Sequence, residues 1–572
     1  MTLKADVIIW DLHGAVKYMR SEKVMVGELV LIHRLKQHLG KVQAIGFSCC
    51  GSYLCTLGGQ DDNAVVVWSL KNGEAVCGSP AAPDCSLCCI WFNKRSDRFI
   101  TAGNYHLKVW QVDFKSPKLH AIDAKLGSLR RIIPALSISP DDKIAYCGTT
   151  SGDVLKVNIE RDELRAYNDP DIIIPSMIGC TKEKVSKGIK SILCVFNEKS
   201  GNINVIVGGG DGNVRYINPS LNMVGGHCAE VLGSVTSLSL HPLGQIIAVG
   251  TDQCNRYELS LDLSKADLKA SCHFGCINNV LFPNGSSDLM ITCSMGDIRI
   301  WNIQMKLELL RIQVPNLNCL CFTINSIGST IVSGWDDGKI RAFFPESGKM
   351  KFVIPDAHSD NVTSLAIAND IVNSSVHQII SGGSEGRLRV WDVTSSHQAL
   401  KMSLKEHRGA INCIKINTDN TQCISASSDG SCIVWDLKRF VRVNAFFESN
   451  VFYSVLYHPD ESQIITCGSN HKITYWDSVD GQAIRVIDGG DSIMTCLDVD
   501  DFGNYFVSGS EDRKVKIWHY DNGIPLAIGE GHSGILKSIQ ISPDCKSIAS
   551  VGSSGEIIIW DMSPFRSESA LI

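Results

Sequence analysis

Apolar and polar residues alternate along this chain in short runs, with a period of two. In KVKIW at 514 to 518, Val515 and Ile517 fall on one face while Lys514, Lys516 and Trp518 fall on the other, the signature of a strand. A whole unit can be read from His407. There EHRGAINCIKIN is a strand, TDNTQ a turn, CISAS a second strand, SDGS a tight turn and CIVWD a third strand. Pro, Asp and Gly punctuate the pattern in SPDD at 139, HPLG at 241, FPNG at 282, HPDE at 458 and SPDC at 542. Helical periodicity is absent, and each unit predicts a small antiparallel sheet.

The units recur. Strands end in Trp-Asp or a close variant at Trp10, Trp68, Trp110, Trp301, Trp391, Trp435, Trp476, Trp518 and Trp560. Degenerate copies near Val157, Ile217, Tyr257 and Phe344 fill the larger gaps, giving thirteen strand ends. A repeat of about 40 to 45 residues with His and Trp-Asp elements resembles the WD-repeat family, whose units are four-stranded propeller blades. Rings of about four to eight blades are usual, so thirteen cannot be one ring. The expected fold is all-β, two tandem seven-bladed WD-repeat β-propellers, the first incomplete at its N-terminus. The expected boundaries are 1–262 for the first propeller with about six blades, 263–562 for the second with seven, and 563–572 for a short tail. Residue 6 already lies in a third strand, which suggests either a start upstream of Met1 or an open first ring with an exposed sheet edge.

Composition supports a folded chain. Of 572 residues 44% are apolar, 20% charged and 7% aromatic, which argues against disorder, collagen and coiled coil. Lys plus Arg is 54 against 60 for Asp plus Glu, a net −6 without long runs of either sign, so no nucleic-acid or membrane partner is expected. The 23 cysteines are scattered and odd in number, which suits reduced thiols in a cytosolic compartment. The first residues do not read as a signal peptide, and no apolar run approaches the ~20 residues of a membrane span.

Candidate chemistry largely dissolves on inspection. His407, Ser425, Asp429 and Trp435 form one complete set that invites a hydrolase reading. Incomplete copies elsewhere (His358, Ser381 and Trp391 with Glu385; Ser508, Asp512 and Trp518 without a histidine) mark it as a repeated structural hydrogen-bond quartet. GGSEG at 382 to 386 matches a nucleophile elbow but joins two strands where that motif needs a strand and a helix. Cys85 and Cys88 have C-x-x-C spacing without a second ligand pair, and the glycines 208–210 precede a strand, unlike a phosphate cradle. No catalytic residue, metal or cofactor is expected. Two features suggest surfaces. Trp335 in SGWDDGK is either inter-blade packing or an exposed aromatic anchor for a partner. The stretch between Val157 and Ile217 is some fifteen residues longer than a unit and carries Lys182, Lys184, Lys187 and Lys190, as a solvated loop or a partner-binding arm.

Segments outside the minimal repeat are more specific. KADVIIWD at 4 to 11, DDNAVVVWS at 61 to 69, CGSPAA at 77 to 82, TAGN at 101 to 104 and GTTSGD at 148 to 153 resemble an axonemal WD-repeat family, that of cilia- and flagella-associated protein 52. CHFGCINNVLFPNG at 272 to 285, ELLRIQVPN at 308 to 316, WDDGKIRAF at 335 to 343 and LKEH at 404 to 407 continue the match. The resemblance implies a non-enzymatic microtubule inner protein in the B-tubule lumen of ciliary doublets. Its partners there would be alpha/beta-tubulin and other luminal proteins near the inner junction. It also implies a longer N-terminus with a first blade. A soluble WD-repeat adaptor, a ligase substrate receptor or signalling scaffold, is the alternative from another class.

Overall fold

A computed structural model describes residues 6–11, 30–160, 174–197, 202–241, 244–369, 377–394 and 397–566. They fold into short antiparallel sheets, with one helical turn, Ser563–Arg566, near the end. The fourth blade of the second unit shows why. Its strands Ile411–Ile416, Gln422–Ser427, Ser431–Asp436 and Val441–Phe447 pair in chain order from the innermost outward. Alternate residues point to opposite faces, and both faces are apolar. Ile411, Ile414, Cys423, Ile433 and Trp435 pack against the third blade, while Ile424, Ala426, Cys432, Val434 and Phe446 pack against the fifth. A sheet apolar on both faces needs a neighbour on each side, and adding neighbours ends only when the row closes.

The chain divides into two compact units, Met1–Lys269 and Ala270–Ile572. Residues 263–269 go with the first unit because Ala266–Ser271 forms the outermost strand of that unit's last sheet. In the second unit seven innermost strands, starting at 277, 319, 362, 411, 452, 494 and 536, follow each other around a closed ring. Closure joins residues far apart in sequence. Ser538 Oγ donates to Asn279 Oδ1 at 2.9 Å, the Phe282 amide to Gln540 Oε1 at 2.6 Å, and the Asp544 amide to Ser287 Oγ at 3.0 Å. Gly555 (φ 85°) completes the seam, since a Cβ there would lie 2.9 Å from the carbonyl oxygens of both His273 and Gly275. The first two blades share strands that run on through positions where other blades turn, Leu289–Asn302 and Leu307–Ile324, and so merge into one six-stranded sheet.

Among the described residues the first unit has five four-stranded sheets and one two-stranded sheet, Val7–Asp11 with Val30–Leu35. The latter stands for the two outer strands of a first blade. Its Val7 and Leu35 cover Leu54, Val66 and Trp68 on the next blade, but no described residue covers the inner end of that face. Val42–Phe47 shares its register with Ile411–Ile416, including the bulge after the first residue, so Ile45 is the counterpart of Ile414. Ile414 is 3% exposed, whereas Ile45 is 53% and Phe47 57% exposed.

Register also corrects the degenerate strand ends. Phe343 and Leu259 occupy the Trp435 position, beside Phe344 and Tyr257 named from sequence. In the long stretch after Val157, residues 161–173 lie outside the described residues. SMIGC at 176 to 180 is an outermost strand and Ile189–Asn197 an innermost one, so only 181–188 is a loop there.

The matched pair gives a test. Ile414→Ala should destabilise the second unit by about 2–4 kcal/mol, through lost burial and a cavity, while Ile45→Ala at the equivalent exposed position should cost about 0.5 kcal/mol or less. Urea unfolding of the full chain checks both, and equal losses would contradict the uncovered face.

Candidate interaction surface

Several blades are tied to the loop before them by a polar chain. The Trp435 indole N–H can only donate, and it donates to Ser425 Oγ at 2.8 Å. Ser425 lies 2.7 Å from His407 Nε2, and His407 Nδ1 lies 2.9 Å from Ser431 Oγ and 3.3 Å from Asp429 Oδ2. Ser425 accepts from the indole, and its own proton can go to Nε2 or to the Ile433 carbonyl at 3.4 Å. Burial holds the His407 pKa below its usual value despite Asp429, which favours the neutral ring. Burial also works to raise the Asp429 carboxyl, but the Ser431 hydroxyl, the Arg408 amide and His407 overcome it and hold it at about 2.

The same chain recurs as His273–Thr292–Trp301 with Asp297, His358–Ser381–Trp391 with Glu385, and His532–Ser550–Trp560 with Glu556. The first unit has His38–Thr56–Trp68 with Asp62. Trp110, Trp476 and Trp518 keep the hydroxyl partner, in Thr101, Thr466 and Ser508, without the histidine. The Lys516 ammonium sits over the Trp518 ring at 5.9 Å and donates to the Gly489 carbonyl at 2.5 Å. A device repeated in blade after blade, with its serines and threonines buried, holds loops in place. GGSEG is a hairpin turn between His377–Gly383 and Leu388–Val393, with the Ser384 hydroxyl donating to Asp360 at 2.9 Å. The Cys88 thiol is pushed up to about 12 by burial, the wrong direction for a thiolate ligand.

Trp335 is not a partner anchor. It is 0% exposed, and its indole donates to Ser333 Oγ at 2.8 Å with the Arg341 guanidinium 5.4 Å from its ring. The reason is local. In this blade Phe343 stands where others have tryptophan, so Ser333 lacks its usual indole donor and Trp335 supplies one from the end of the same strand, Ile331–Trp335. Sequence offered a signal for this, because Phe343 and Trp335 depart from the pattern in the same blade.

The exposed loops and turns remain as candidate surfaces. Lys182, Lys184, Lys187 and Lys190 are all exposed. Lys184 and Lys187 line an open cleft of about 610 Å³ with Thr150, Ser151, Asp211 and Arg215, which the sequence did not single out. Lys182 and Lys190 lie outside it. The second unit has a central channel of about 480 Å³ bordered by all seven innermost strands, with Asn279, Thr363, Asn412, Tyr453 and Ser538 on its wall. Asp498, also on that wall, accepts the Ile541 amide at 2.7 Å, and burial raises its carboxyl to about 6.

Known proteins are similar to this chain in sequence. The WD domain, G-beta repeat family matches residues 29–69, 349–392, 398–436, 443–477, 481–519 and 523–561. Cilia- and flagella-associated protein 52 of Chlamydomonas reinhardtii is 42% identical over 565 residues, covering 98% of this chain and 86% of that protein. The proteins of the same name from Bos taurus and Homo sapiens are each 38% identical, covering 99% and 98% of this chain and 86% and 85% of their own lengths.

The polar chain generates two predictions. Ser425→Ala should cost about 1–3 kcal/mol, because it strands the buried Trp435 N–H. Stability of the second unit should also fall as pH drops below 6.5. His273, His358, His407 and His532 all have pKa values lowered from 6.5, chiefly by burial. Below 6.5 the unfolded chain then binds more protons than the native one, so stability rises with pH across that window. Asp498, with its pKa raised, works in the opposite direction between 3.8 and about 6, as one group against four. Urea midpoints at pH 7.5, 6.5 and 5.5 test the sign, and a midpoint that stays level or rises on acidification would refute it.

Proposed function

The chain belongs to the cilia- and flagella-associated protein 52 family of WD-repeat proteins, and on that premise we propose that it is a non-enzymatic structural component of ciliary doublet microtubules. In this reading it lies in the B-tubule lumen near the inner junction and binds alpha/beta-tubulin and neighbouring luminal proteins, stabilising the axoneme for motility. The observation that carries it is relatedness along nearly the whole chain, which extends well beyond the repeat positions.

The physical account agrees. Both units turn a repeated, buried framework outward as rims of loops, and the Ser and His groups that resemble catalytic residues are spent on that framework. A chain with many small contact loops gains affinity by addition. Once one contact forms, the next is intramolecular, and modest affinities multiply. Periodic placement along a polymer needs no deep pocket and no strongly basic surface, consistent with a net charge of −6.

Extraction separates this role from that of a soluble adaptor. Ciliary axonemes washed with detergent and then with high salt should retain the protein until the doublets themselves are dissolved, and density maps of those doublets should show paired propellers inside the tubule wall. Quantitative release in the detergent wash, with the luminal density missing, would favour the adaptor.

A further inference from the structure

Within that reading, the open cleft of the first unit identifies a class of partner. Residues 181–188 connect the outermost strand Ser176–Cys180 to the innermost strand Ile189–Asn197 of the next blade. The loop is pinned at both ends. Val185 is buried and its amide donates to the Gly152 carbonyl at 2.7 Å, the Ile189 amide donates to Thr149 O at 2.9 Å, and the Gly210 amide to Gly188 O at 2.8 Å. Ser186 is buried as well, and its hydroxyl donates to Asp211 Oδ1 at 2.8 Å. Gly152 makes the close approach feasible, since a Cβ there would lie 1.9 Å from the Ser186 carbonyl oxygen.

The pinned pair Val185–Ser186 leaves Lys184 and Lys187 exposed on either side, both facing the cleft. Arg215 is satisfied within the protein. It pairs with Asp211 at 2.9 Å and donates to the Val185 carbonyl. Asp211 thus balances Arg215, and among the described residues neither lysine has an ion-pair partner. The cleft is a fixed frame with two uncompensated ammonium groups, and the Thr150 and Ser151 side chains stand beside them.

We propose that this cleft docks an acidic, carboxylate-rich segment of a partner protein. The chain as a whole carries −6, so an acidic segment is repelled on average and drawn to the places where the local sign reverses. Lysine ammonium groups are point charges without the fork geometry of arginine, so they select for carboxylate density more than for one side-chain arrangement. Anchoring by backbone hydrogen bonds pays the loop's ordering cost before the partner arrives.

The test uses the full-length protein and a fluorescent hexaglutamate peptide, read by anisotropy at low salt. Saturable binding that weakens as salt is added is expected, with no binding of hexaglutamine. Lys184→Glu with Lys187→Glu should weaken it roughly tenfold or more. Lys71→Glu with Lys115→Glu, the same charge change on exposed residues elsewhere in the first unit, should change it less than about twofold. Lys184→Gln with Lys187→Gln should fall between. Equal losses from the two charge-reversal pairs, no binding by the parent protein, or displacement of the peptide by equimolar inorganic phosphate would each overturn the proposal. The ciliary reading is scored separately. Axonemal retention without hexaglutamate binding would remove the cleft and keep the location, while binding by a protein that washes out of axonemes would do the reverse.

Discussion

A four-stranded sheet with two apolar faces cannot stand alone in water, and the rest of this molecule follows from that constraint. Each blade in the second unit buries one face on the preceding blade and the other on the following one. At roughly 25 cal/mol per Å² of apolar surface, an uncovered face is a large penalty, so the row must close. It does so through Asn279, Ser538, Gln540 and Ser287, polar side chains that link the first and last blades where the splayed innermost strands cannot share a backbone ladder. Ile45 and Phe47 show what lack of cover looks like in the first unit.

Burying both faces creates a second problem. Where a third strand ends in tryptophan, the indole brings an N–H into the interior, and a buried donor must find an acceptor. Serine or threonine on the second strand accepts it in eight blades that keep the tryptophan. In five of them histidine carries the chain on to a carboxylate near the tight turn, which fixes the loop above. In the blade of Phe343 the donor comes instead from Trp335. The requirement is conserved in physics even where the residue has moved, which explains why a motif that looks catalytic is repeated and why its members are buried.

The fold was legible from sequence because its period is short and its punctuation regular. Alternation in KVKIW and the Pro-Asp and Asp-Gly turns specify hairpins, and the tryptophan spacing specifies blades, without any long-range information. What escaped was long-range by nature. The burial of Trp335 depends on an indole missing eight residues later, at Phe343 in the paired strand, so the local sequence SGWDDGK reads equally well as a surface anchor. The cleft was half legible. Lys184 and Lys187 stood out as a basic run, but Arg215, Asp211 and Thr150 join them only when two turns from neighbouring blades converge. Which lysines share a cavity and which do not is decided by the burial of Val185 and Ser186, and nothing in TKEKVSKGIK distinguishes those positions.

That division of labour bears on how such a chain can acquire a binding role at little cost in stability. The framework residues face inward and sit in mutual contact, so changes there couple to a whole ring. The exposed loop residues Lys184 and Lys187 face outward, and the loop is held by its neighbours, through the Val185 amide and the Ser186 hydroxyl. Lysine at 184 and 187 is one choice among many that the same Val185 and Ser186 anchors would present equally well. A framework of mutually packed blades therefore separates the free energy of folding from the chemistry of recognition. Local charge can then oppose the net −6 of the chain at one cleft without disturbing any buried pair. Specificity in such a molecule comes from how many loops meet the partner at once, and each loop can remain individually weak.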